Sequence, residues 1–106
     1  MEKINIGLSE KRFQDAVVQL AKLLHWRIYH TYNSRRSTPG YPDLTLVRDG
    51  RLIFAELKSE KGKMSKAQKE WEHDLKETSA EFYEWRPSDW ETIVCTLTST
   101  SSCDMM

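Results

Sequence analysis

A chain of 106 residues is sized for one domain around a single core, which sets multi-domain readings aside. With 30% of its residues charged and 10% aromatic, it has neither the composition of a disordered polar chain nor an apolar run near the roughly 20 residues that span a bilayer. The net charge of zero is unevenly spread: through Lys69 there are 14 Lys/Arg against 7 Asp/Glu, and beyond it 2 against 9, so about +7 is followed by −7. The N-terminal MEKINIGLSEKR lacks the apolar core of a secretory signal, so a cytoplasmic protein is expected. Cys95 and Cys103 lack zinc-site spacing and are expected to be reduced bystanders.

In chain order, residues 9 to about 25 place Phe13, Val17, Leu20, Ala21 and Leu24 on one helical stripe, with Ser9 as N-cap. Glu10 falls on that apolar face and Gln14 at its edge. Residues 26–33, WRIYHTYN, are aromatic and β-branched and predict a strand, followed by the polar SRRSTPG. Asp43–Val47 and Leu52–Lys58 predict two further strands, joined at Asp49-Gly50, a strong two-residue hairpin signal. Ser65 to Gln68 has capping-box form and opens a helix with Trp71, Leu75 and Thr78 on one face. Residues 81–86 predict a last strand, and Ser88 caps a short final helix carrying Trp90, Ile93, Val94 and Leu97. The domain is thus expected to span residues 1–97, with 98–106 a loose tail.

A two-residue turn at Asp49-Gly50 fixes the register so that paired residue numbers sum to 99, which sets Asp43 opposite Glu56. Lys58 points to the same face. Like charges directly opposed across a ladder are destabilising, so the pair calls for an explanation. Paired acids raise one pKa or share a cation, and two carboxylates with waters and a phosphate oxygen suit Mg²⁺. A neighbouring lysine could then orient the attacking water or offset charge on the phosphate. Each residue alone also has a plain structural reading. Asp43 can be a turn residue, Lys58 a solvated edge residue, Glu10 an acid favouring the helix dipole, and Gln68 a capping-box partner.

The ordered series resembles a known family. Residues 41–43 (YPD) and 55–58 (AELK) resemble the PD-(D/E)xK nuclease motif, with Asp43 as its Asp and Glu56-Leu57-Lys58 as its ExK. Glu10-xxx-Gln14, GYPDL, ELKS and Ser65-xx-Gln68 together resemble the VRR-NUC family of nuclease domains, over about Ser9 to Trp85. The resemblance implies a restriction-endonuclease-like α/β fold: a small mixed β-sheet flanked by helices, α-β-β-β-α-β plus the short C-terminal helix. It implies Glu10, Asp43, Glu56 and Lys58 as catalytic residues, the three carboxylates also as ligands of Mg²⁺ or Mn²⁺, and Gln14 and Gln68 as supporting residues. The expected activity is metal-dependent DNA endonuclease, plausibly on Holliday junctions or other branched DNA, by a phage-encoded type of domain. The competing expectation is a nucleic-acid-binding or regulatory module with the same fold and little activity of its own.

Arg35, Arg36, Lys61, Lys63 and Lys66, with Lys69 beyond them, lie near the motif in sequence and are expected to meet DNA through its backbone, since no recognition helix is evident. A symmetric cut of two strands needs two sites, hence an expected homodimer, with Tyr83, Trp85 and Trp90 as interface candidates.

Overall fold

The structure, a computed structural model, describes residues 9–31 and 38–100. Helix α1 (Glu10–Leu23) starts as expected at Ser9, whose side chain accepts from the Arg12 N–H. Phe13, Val17 and Ala21 of its apolar stripe are fully buried. The helix stops without a glycine. His25 takes φ 70° and the N–H groups of His25 and Trp26 donate to the carbonyls of Lys22 and Ala21, which satisfies the last turn's orphan acceptors.

Strand β1 (Arg27–His30) follows, then the hairpin β2 (Leu44–Arg48) and β3 (Arg51–Leu57). Asp49 (φ 50°) and Gly50 (φ 82°) turn the chain in two residues, the geometry whose twist matches the flanking strands. The observed pairs Leu44 with Ala55 through Arg48 with Arg51 keep the sum of 99. The strands stop one residue short of the expected ends at Asp43 and Lys58. Asp43 uses its side chain, rather than its backbone, to take the Leu57 N–H, and the Lys58 N–H goes to the Trp85 carbonyl on the next strand.

Helix α2 (Lys66–Lys76) carries the chain over to β4 (Glu81–Trp85), which pairs parallel to β3 and completes the order β1-β2-β3-β4. The capping box at Ser65 and Gln68 is present in both directions. A 3-10 turn at Pro87–Asp89, rather than a cap at Ser88, leads into α3 (Trp90–Thr98), which runs one residue past the expected end of the domain. The result is a small mixed α/β domain with helices flanking a four-stranded mixed sheet.

Alternation along the strands divides the helices between the faces. Leu44, Leu46, Ile53, Ala55, Leu57 and Trp85 point to one side and form the core with α1 and with Ile93 and Leu97 of α3. On the other side Tyr41 packs edge-on against Phe54 and against Trp71 of α2, with ring centroids 6.2 and 4.9 Å apart. Trp85 is a core residue at 2% exposure and Tyr83 and Trp90 pack against that core, so the three candidates for an interface are occupied within the domain.

The end of α3 is held by cations. Arg51, paired to Glu81 through both carboxylate oxygens at 2.7 Å, donates to the carbonyls of Thr96 and Ser99, and Trp26 Nε1 donates to that of Leu97. Cys95 is disulfide-bonded, which corrects the expectation of a reduced thiol there; Cys103 lies outside the described residues. Among the described residues no helix is long and apolar enough to cross a membrane.

Candidate functional site

Three local devices converge at one end of the sheet. The chain enters β2 through the buried Pro42, and Asp43, whose carbonyl accepts from the Thr31 N–H on the β1 side, meets β3 by its side chain: Oδ2 accepts from the Leu57 N–H at 2.8 Å. Glu56, last but one in β3, is 2% exposed because α2 covers that face of the strand. The first turn of α2 brings Gln68, whose Oε1 accepts from the Ser65 N–H at 2.7 Å while its Nε2 donates to Glu56 Oε2 at 2.8 Å. Gln68 therefore performs both roles that its sequence position allows.

Asp43 and Glu56 face each other across the ladder, one step beyond its last pair, Leu44 with Ala55. Burial, and then the charge of Asp43, push the Glu56 carboxyl up from 4.5 to about 8, against the opposing pull of Lys58. Burial also raises Asp43, more than the Leu57 N–H and Lys58 lower it, and the charge of Glu10 adds to the rise. Both carboxyls are thus pushed toward the protonated form, Glu56 the more strongly. Lys58 Nζ lies 3.6 Å from Glu56 Oε2. Its backbone is fixed by β4, and Arg86 Nη1 holds the next two carbonyls, those of Ser59 and Glu60, at 2.6 and 3.3 Å.

All of Glu10, Gln14, Asp43, Glu56, Lys58 and Gln68 line one open cavity of about 640 Å³. The sequence placed Glu10 on the apolar face; in the structure it is the first residue of α1, exposed, and lines the cavity. Among the described residues no three His, Cys, Asp or Glu side chains converge at metal-ligand spacing. Asp43 and Glu56 therefore stand as a pair, with Glu10 on the wall. Such a pair fits Mg²⁺, which keeps several waters and is commonly held by one or two carboxylates together with substrate phosphate.

Lys61, Lys63 and Lys66 are exposed along the segment that leaves Lys58, outside the cavity, and none forms an ion pair among the described residues. Arg35 and Arg36 lie outside the described residues. Sequence reasoning missed Lys11, His30 and Thr31, which also line the cavity. The available signal for Thr31 was register: Arg27 to His30 pair with Val47 to Leu44, and one further step sets Thr31 opposite Asp43. Comparison with family models, with curated proteins and with solved structures found no match.

Proposed function

We propose that this chain is a metal-dependent endonuclease that hydrolyses DNA phosphodiesters, with a restriction-endonuclease-like core of the VRR-NUC kind. The observation that carries the reading is the opposed Asp43–Glu56 pair with Lys58 3.6 Å from Glu56, at the wall of an open cavity. A pair that raises its own pKa values in the folded state is costly scaffolding and sensible machinery. Asp43 and Glu56 would hold Mg²⁺ or Mn²⁺, which would supply charge neutralisation at the phosphate and an acidified water. Metal binding would require both carboxyls to be deprotonated, against the upward push on each. Gln68 keeps Glu56 Oε2 in place, leaving the other oxygen to turn toward the cavity. Lys58 stands where it can orient the attacking water or offset the negative charge that builds on phosphorus during attack. Lys61, Lys63 and Lys66, with Arg35 and Arg36, would hold the flanking backbone, and a homodimer acting on branched DNA such as a Holliday junction would use one site per strand.

Purified protein incubated with labelled junctions, flaps and plain duplex, with and without Mg²⁺ or Mn²⁺, tests this. Metal-dependent nicking that disappears in Lys58→Ala and Glu56→Gln is the expected result; cleavage without metal, or on no substrate, would defeat it. A second reading, a nucleic-acid-binding module with little activity alone, draws on the absence of a third carboxylate at ligand spacing among the described residues. Full-strength DNA binding without cleavage, unchanged in Lys58→Ala, would favour that module.

A further inference from the structure

The cavity wall opposite Glu56 is built by the end of β1. The Thr31 N–H donates to the Asp43 carbonyl at 2.8 Å, which continues the β1–β2 register one step past its last pair, His30 with Leu44. Residues directly opposed in an antiparallel ladder share a face, with Cβ atoms about 4.5–5.5 Å apart. Thr31, Asp43 and Glu56 therefore form one row across three adjacent strands, on the face that looks toward α2, with strands about 4.8 Å apart. Thr31 occupies the place in that row next to Asp43, on the side away from Glu56.

The hydroxyl in that place has nothing to bond. Thr31 Oγ1 is buried, and it has no hydrogen-bond partner among the described residues. The other buried orphans, Arg48 Nε and Trp85 Nε1, belong to residues that do not line the cavity. A buried hydroxyl left unsatisfied is a cost to the folded state, and a native chain tolerates it where a ligand supplies the missing partner. The chemistry of the neighbourhood limits that ligand. Asp43 already accepts from the Leu57 N–H and Glu56 from Gln68, and a further carboxylate from the protein, Glu10, is exposed. What a hydroxyl beside a cation-binding carboxylate offers a substrate is one neutral hydrogen-bond donor, suited to an anionic oxygen that the carboxylates alone would repel.

We infer that Thr31 is a substrate-binding residue whose hydroxyl donates to a non-bridging oxygen of the phosphodiester seated at Asp43 and Glu56. The inference rests on the nuclease reading above and adds to it the group that fixes the phosphate laterally. With Lys58 on the β3 side and Thr31 on the β1 side, the row holds the phosphate between a charged and a neutral donor, so that one orientation of the ester toward Asp43 is preferred.

The test compares wild type with Thr31→Val, which keeps the branched shape and removes the hydroxyl, and with Thr31→Ser, which restores it. Cleavage of the best DNA substrate in Mg²⁺ is measured alongside DNA affinity in Ca²⁺ and melting with and without Mg²⁺. In Thr31→Val, kcat/KM should fall by about ten- to a hundredfold, the range expected for losing a hydrogen bond to a charged group. Its DNA-free melting temperature should be no lower than that of wild type, its Mg²⁺-induced rise should be retained, and Thr31→Ser should cleave within about threefold of wild type. A purely structural threonine would instead lower stability and leave the cleavage kinetics of the folded fraction alone. Wild-type kinetics in Thr31→Val would overturn the inference while the nuclease reading stands, and so would a lost Mg²⁺ response, which would put the hydroxyl on the metal. Should wild type cleave nothing, the nuclease reading fails and the Ca²⁺ affinities decide for Thr31: a weakened Thr31→Val rescued by serine upholds it, whereas equal affinities, or no binding, overturn it. If Thr31→Val fails to fold, Thr31→Ala is judged on the same kinetics and affinities.

Discussion

Glu56 is a group whose folded-state pKa, about 8, lies above its ordinary 4.5, so the folded protein binds a proton that the unfolded chain releases between those values. Stability then falls as pH rises through that window: the contribution is fully present below about 4.5 and lost above about 8. At about 1.4 kcal/mol per pKa unit the loss is on the order of a few kcal/mol. Urea denaturation of metal-free protein at a series of pH values should show this slope, and Glu56→Gln, which retains an acceptor for Gln68 and a donor for Asp43, should flatten it. Asp43→Asn keeps an oxygen for the Leu57 N–H and removes the charge facing Glu56. It should stabilise the metal-free protein at pH 8 by about 1 kcal/mol, and on the proposed reading Mg²⁺ should raise the melting temperature of wild type but not of either variant. A wild-type stability that is flat from pH 5 to 8 would mean that the pair is not strained. Glu81 works in the opposite sense. Burial pushes it up, but its bonds with Arg51 and Tyr83 win and hold it below the usual range, so its contribution is lost as pH falls into the acid range. The two acids thus oppose each other along the pH axis, one serving the cavity and the other the fold.

Two glycines with nearly equal backbone conformations separate the elements that carry the site from those that only connect. Gly40 (φ +85°) and Gly50 (φ +82°) both lie where an L side chain is strained, but a Cβ on Gly50 would meet nothing within 4 Å, whereas one on Gly40 would lie 2.5 Å from the backbone carbon of Ala67. Gly50→Ala should therefore cost about 1–2 kcal/mol and leave activity intact. Gly40→Ala adds an overpacking cost of about 1–3 kcal/mol and must push the first turn of α2 outward, taking Gln68 from Glu56. Its cleavage rate should fall even in the folded fraction, and normal kinetics there would show that the Gln68 bond is dispensable. These elements were unequally legible in the sequence. The hairpin, both helix caps and the opposition of Asp43 and Glu56 follow from short-range rules, since a two-residue turn fixes a register and a register fixes a face. The end of α1 was not legible to the residue, because its left-handed position is held by His25 where a glycine is the usual signal. Thr31 escaped because its importance depends on the pairing of β1, which is separated from β2 by a long connection that no turn chemistry specifies. Glu10 was half legible: the helical wheel gave its direction, but its exposure follows from where the helix starts relative to the sheet.

For the whole molecule, if DNA is the partner as proposed, the zero net charge gives no net long-range attraction, and exposed charges are screened beyond the Debye length of about 10 Å at 0.1 M salt. Binding would then rest on local contacts beside the cavity. The segment after Lys58 would supply them: Lys61, Lys63 and Lys66 are exposed, without ion pairs among the described residues, and follow a turn whose carbonyls Arg86 holds. By contrast Lys76 is paired to Glu72 at 2.8 Å, so its charge is already partly committed. Each phosphate neutralised contributes a slope of roughly −0.9 in log K against log salt for duplex DNA. Replacing Lys61, Lys63 and Lys66 together with glutamine should make the slope shallower by about 0.9 for each contact actually made, up to about 2.7. Folding should change little, because all three side chains are exposed and glutamine is a good helix former at Lys66, the first residue of α2. The loss in affinity should be alike for junction, flap and duplex, since backbone contacts position without reading sequence. Titrations of labelled DNA at several salt concentrations check this. An unchanged slope in the triple variant would move the DNA path to the other wall of the cavity, where Lys11 and His30 stand, and would leave the lysine segment as solvated surface.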